Sequence, residues 1–209
     1  MIHRVQQHLE SIYRLESPVR AEAFVVDEAL AQQLGAQGQR EQLFVHEAED
    51  GLDLALYLEP ALLARLEACT HRVLLEGELD GYCQVAEGVS HFLYLTQAAT
   101  QDRQVSLLEL EAQAEVDKFA LCLLQRWGEG ALLWARELIR RLFEATHLLP
   151  SLGPELRHRY AESSRLARNY CQRLLAHVQH RQLDRLLTEL RYSYRLGAEA
   201  KLRYLAQPA

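Results

Sequence analysis

The chain has 209 residues, 49% hydrophobic and 25% charged, which is the composition of a globular protein whose core needs no covalent staples. No stretch approaches the roughly 18 consecutive apolar residues that cross a bilayer, which excludes a membrane-spanning role. The net charge of −6 hides a division: residues 151–209 hold 11 Lys+Arg against 5 Asp+Glu, whereas residues 1–150 hold 12 against 24.

The opening segment, MIHRVQQHLESIYRLES, places Val5, Leu9, Ile12 and Tyr13 at helical spacing and predicts a helix over 3–15 that Pro18 terminates. It lacks the apolar centre of a secretory signal and carries Glu10 and Glu16, so the expectation is an ordinary first helix of a cytoplasmic protein. AFVV, residues 23–26, is a short strand candidate. LFVHEAEDGLDLALYL then alternates around Asp50-Gly51, the Asp-Gly pair that tight hairpin turns favour. Leu52, Leu54, Leu56 and Leu58 are expected on one face of the second strand, with Asp53, Ala55 and Tyr57 on the other. Pro60 suits a first helical position, where its missing N–H costs nothing, and ALLARLEA follows as a short helix.

From residue 82 onward the pattern is helical, with helices predicted over 82–99, 105–126, 130–147, 155–180 and 182–205 and breaks at TQDRQ, WGEG and LLPSLGP. Pro150 and Pro154 bracket SLG and place a domain boundary near 150. The fold class is therefore α+β and predominantly α. An acidic part over 1–150 carries a small sheet (about 20–60) and helices (about 82–147). A basic, long antiparallel helical hairpin over 151–209 packs on it.

The four cysteines, Cys69, Cys83, Cys122 and Cys171, are spread singly without a CxxC pair, which excludes a zinc knuckle and a thioredoxin-like motif and favours free, mostly buried thiols. GxSxG, a Walker loop, a dinucleotide fingerprint and HExxH are all missing, so no enzyme signature stands out. Ser90 adjoins His91, but neighbours on a helix point about 100° apart and form no nucleophile-base pair.

One polar constellation merits attention. On a helix Glu87 lies about 40° from His91, with Gly88 beside both and offering close approach to another element or a ligand. Glu115 projects from an apolar stripe with Leu108, Phe119 and Cys122, and Glu111 precedes it by one turn. A carboxylate in such a place is paired, protonated or metal-bound. Glu87, His91, Glu111 and Glu115 are thus candidate ligands for a divalent metal between two helices, although bundle sites of this kind use Glu-x-x-His on each of two helices and this spacing is Glu-x-x-x-His. In the plainer and favoured reading Glu115 pairs with Lys118, Glu111 faces solvent, and His91 hydrogen-bonds Glu87 or a tyrosine.

The basic segment is arginine-rich, and an arginine fork binds planar anions and stacks on aromatics. Arg157, Arg165, Arg168, Arg191, Arg195, Tyr192 and Tyr194 are the candidate anion or partner surface. RYSYR is compatible with single-stranded nucleic acid, but the acidic chain as a whole disfavours it. The favoured expectation is a noncatalytic scaffold or adaptor, with a protein partner or self-association through the basic hairpin. A metal-dependent enzyme is the alternative and a nucleic-acid module the third.

Overall fold

The computed structural model describes residues 1–48, 51–69, 71–145 and 153–208. Two compact units make up the chain: Met1–Glu10 with Leu15–Gln104, and Ser11–Arg14 with Val105–Ala209. The fold is α+β and predominantly helical: 69% of the described residues are helical, and among them there is one three-stranded sheet. The compact units divide at Gln104, so the charge step near residue 150 falls inside unit 2. Counted by unit, unit 1 carries 6 Lys+Arg against 17 Asp+Glu and unit 2 carries 17 against 12.

Helix α1 (Ile2–Tyr13) buries Val5, Leu9, Ile12 and Tyr13. It stops ahead of Pro18, because Arg14 adopts a left-handed φ of 53° and the N–H of Leu15 closes back on the carbonyl of Glu10 at 2.9 Å. In unit 1 a single 3₁₀ turn, Ala21–Phe24, leads into β1 (Val25–Val26), so only the second half of AFVV is extended. The six-residue α2 (Glu28–Gln33) starts at Asp27, whose side chain accepts from the N–H of Leu30 at 2.8 Å.

Strands β2 (Glu41–Ala48) and β3 (Gly51–Leu58) pair antiparallel in the expected register, Ala48 opposite Gly51 and Glu41 opposite Leu58; Glu49 and Asp50 of the turn lie outside the described residues. The sheet order is β1-β3-β2, with β1 parallel to β3. Burial along β3 does not alternate as expected. It rises from exposed Leu52 and Asp53 to fully covered Leu56, Tyr57 and Leu58, because the central strand is sandwiched at one end and projects at the other.

Pro60 opens α3 (Pro60–Glu67) at its first turn, and α4 (His71–Glu76) precedes α5 (Leu79–Ala99). Helix α5 packs against α3, α4 and both strands of the hairpin, and 14 of its 21 residues are buried. Close approach is possible because Gly88 has no Cβ: one placed there would stand 2.9 Å from Glu41 Cγ and 3.1 Å from Leu56 Cδ1. The neighbour anticipated at Gly88 is therefore the sheet.

Unit 2 begins with α6 (Leu107–Leu124), opened by a capping box in which Ser106 and Glu109 satisfy each other's backbone N–H groups. Next come α7 (Ala131–Ile139), a π-helical segment Arg140–Glu144, and α8 (Pro154–Gln179). Pro150 and the following two residues lie outside the described residues. Helix α8 packs on α6 and α7 and turns through Arg181, again at φ 53°, into the antiparallel α9 (Leu183–Arg195). The predicted last helix breaks at Leu196-Gly197, and α10 (Ala198–Leu205) folds back onto α8 and α6. Among the described residues no helix is long and apolar enough to cross a membrane.

Candidate anion-binding groove

The arginines of unit 2 divide by what they hold. Arg165 grips Glu162 on its own helix at 2.6 and 2.8 Å, Arg168 reaches Glu144 at 2.7 Å, and Arg159 lies 3.8 Å from Glu111. Three others hold helix ends. Arg173 donates to the carbonyls of Tyr204 and Gln207 at 2.9 and 2.8 Å, satisfying the end of α10. Arg191 donates through Nε to the carbonyl of Ile12 at 2.7 Å and reaches that of Ser11 at 3.5 Å, and Arg195 donates to the carbonyl of Tyr13 at 3.1 Å. The last carbonyls of α1 have no partner within the helix and carry its partial negative charge, so guanidinium groups are suited to them on both counts.

This capping gathers charge. Arg14 leaves α1 in its left-handed conformation and joins Arg191 and Arg195 around a groove of about 580 Å³ that Asp184, Thr188, Tyr192 and Leu196 complete. Among the described residues Arg14 forms no ion pair, and Asp184 is the one acid lining the groove. Partial burial first, and then the charges of Arg14 and Arg195, hold the Arg191 guanidinium below its ordinary range, with Asp184 acting in the opposite sense. Tyr192 is 54% exposed at the rim with its ring edge-on to Tyr204 at 5.1 Å, and it offers a hydroxyl donor. The Thr188 hydroxyl proton is committed to the carbonyl of Asp184 at 2.7 Å.

Of the seven residues proposed from sequence as a surface, Arg191, Arg195 and Tyr192 meet in this groove. Arg165 and Arg168 are engaged by glutamates elsewhere, and Arg157 is exposed near the start of α8. Tyr194 points inward, 7% exposed, stacked on Tyr13 with ring centroids 4.1 Å apart. Two positions apart on a helix means about 200° of rotation, so one tyrosine of RYSYR faces solvent and the other the core. Arg14 and Asp184 were not singled out from sequence; Arg14 joins the cluster only through the fold, 177 positions before Arg191 in the chain.

The four metal candidates fall in different units, Glu87 and His91 on α5 of unit 1, Glu111 and Glu115 on α6 of unit 2. Taken singly, neither unit gathers three such ligands among the described residues. His91 is buried with Nδ1 3.8 Å from Glu41 of β2, a neighbour that helix spacing alone does not reveal. Glu115 pairs with Lys118 at 2.9 Å as anticipated. Glu111, expected to face solvent, is buried instead, because α8 covers that side of α6 and brings Arg159 to it.

Comparison with known protein families, with curated proteins and with solved structures finds no match to this chain.

Proposed function

We propose that this chain is a noncatalytic adaptor that docks an acidic segment of a protein partner in the groove of Arg14, Arg191, Arg195 and Tyr192. The observation that carries the reading is the convergence of three guanidinium groups, two of them anchored on main-chain carbonyls, on a groove lined by one acid. Anchoring removes the rotamer freedom that a long cationic side chain otherwise loses on binding, so part of the cost of association is met before the partner arrives. Complementary charge also steers encounter and rejects wrong partners. The four cysteines remain free thiols, which supports a reducing, cytoplasmic setting.

The test is a titration with a fluorescently labelled Glu/Asp-rich peptide, read by anisotropy at rising salt. Binding is expected to weaken with salt and to vanish in the double variant Arg14→Glu/Arg195→Glu. Equal binding by wild type and variant overturns the reading. A dimer in sedimentation that the same variant dissolves would seat a second copy in the groove and replace the external partner. Tighter binding of a single-stranded oligonucleotide than of the peptide would favour nucleic acid. Stoichiometric metal in the purified protein, lost in His91→Ala, would favour the metal-dependent enzyme.

A further inference from the structure

We propose that the docked segment is phosphorylated and that its phosphoryl group is what the Arg14, Arg191 and Arg195 guanidinium groups hold, an inference that rests on the docking reading above. Charge is the first argument. Three guanidinium groups, the Asp184 carboxylate and the roughly half charge at the C-terminal end of α1 leave the groove with about +1.5. A single carboxylate supplies one negative charge, whereas a phosphomonoester supplies about −1.5 to −2 at pH 7 and matches the surplus.

Donor supply is the second. Each guanidinium carries five N–H groups. Arg191 and Arg195 spend two each on carbonyls of Ser11, Ile12, Tyr13 and Arg191, so their planes are fixed while other N–H groups stay open. Among the described residues Arg14 commits no guanidinium N–H, and Tyr192 adds a hydroxyl at the rim. Three phosphoryl oxygens, carrying more charge than a carboxylate and set tetrahedrally, can take donors from several directions at once, where a carboxylate offers two oxygens in one plane. Size is the third: at about 580 Å³ the groove exceeds what a bare ion fills and lies within the range that holds a side chain with its flanking residues.

The experiment uses the full chain and one short acidic peptide made in three versions, with phosphoserine, glutamate or serine at its centre, alongside AMP and inorganic phosphate. The phosphoserine peptide is expected to bind about tenfold or more tighter than the glutamate version. Arg14→Gln, which touches no capping bond, is expected to erase most of that preference without moving the thermal midpoint. Arg195→Lys keeps the charge but loses the fork, and is expected to weaken the phosphopeptide more than the glutamate peptide. Equal affinity for the phosphoserine and glutamate peptides overturns the phosphate inference and leaves the docking reading intact. Failure of all three peptides overturns both. AMP or inorganic phosphate binding as tightly as the phosphopeptide would identify a small phosphate ligand and overturn the docked segment.

Discussion

Lys201 of α10 donates to Gln113 of α6 at 2.6 Å, and neither side chain reaches water. Gln113 in turn donates to Asp117 at 2.7 Å, Asp117 accepts from the Tyr13 hydroxyl, and the Lys201 ammonium sits 5.2 Å over the Tyr194 ring. A buried cation and a buried carboxylate are thus joined through one amide and walled by tyrosines. Truncating one end of such a network leaves the rest desolvated and unpaired. Lys201→Ala is expected to lower unfolding free energy by about 3–5 kcal/mol, read as a lower urea midpoint at unchanged slope. Lys201→Met keeps the stem and is expected to cost less, about 1–3 kcal/mol for the stranded Gln113 oxygen. Equal midpoints for wild type and Lys201→Ala would refute the network's role.

Gly88 sets the spacing between α5 and the sheet. An alanine in mid-helix is ordinarily worth about 0.5–1 kcal/mol over glycine. Here the added methyl would press on Leu56, which is fully buried, at 3.1 Å and on Glu41 Cγ at 2.9 Å. Overpacking of this kind costs about 1–3 kcal/mol, so Gly88→Ala is expected to destabilise on balance. A variant melting above the wild type would show that the strands give way freely and that the contact is not tight.

How legible this was depends on the range of each signal. The Asp-Gly pair and the alternation beside it placed β2 and β3, and Pro60 placed the start of α3, because these are local constraints on φ and on a missing N–H. Helices α2 and α4, six residues each, are too short for periodicity to register, and β1 is two residues held only by its pairing with β3. The break at Gly197 hid inside a continuing apolar rhythm. On α9 the covered positions are Leu186, Leu190, Ser193 and Tyr194, so of the Leu183, Leu187, Leu190 and Tyr194 spacing the last two are covered and the first two are only half-buried. Arginine composition did mark α8 and α9 as a charged surface. That Arg191 and Arg195 cap the end of α1 and collect Arg14 is tertiary, and no spacing rule reaches from residue 14 to residue 195.

The arginines are expected to be unequal in stability for that reason. Arg165→Ala removes an ion pair with Glu162 that sits in solvent, and is expected to cost at most about 0.5–1 kcal/mol. Arg191→Ala strips the donors from the carbonyls of Ile12 and Ser11 at a partly buried helix end, and is expected to cost about 1–3 kcal/mol. Denaturant titrations of both variants in 0.15 and 1 M salt separate them further, since salt screens the exposed pair and spares the buried donor. The idea fails where Arg165→Ala proves the more damaging of the two.

Tyr204 sets an alkaline limit on unit 2. Its hydroxyl donates to Glu189 at 2.5 Å, and burial, then the bond to Glu189, then the Glu189 charge push its pKa up from 10.0 to about 12. The folded protein therefore keeps a proton that the unfolded chain surrenders near pH 10. Stability from this group is complete below that pH and is lost as pH rises through about 12, the sense required when the folded state binds more protons. Tyr170, raised further by burial, adds a loss of the same sign that also begins near pH 10 and continues to higher pH. Urea midpoints taken from pH 9 upward are expected to fall for the wild type between about pH 10 and 12, and to fall less for Tyr204→Phe. The wild-type minus Tyr204→Phe difference in phenolate absorbance reports the group directly. A difference curve centred near 10 would mean that Glu189 does not hold the Tyr204 proton, and the alkaline loss would need another source.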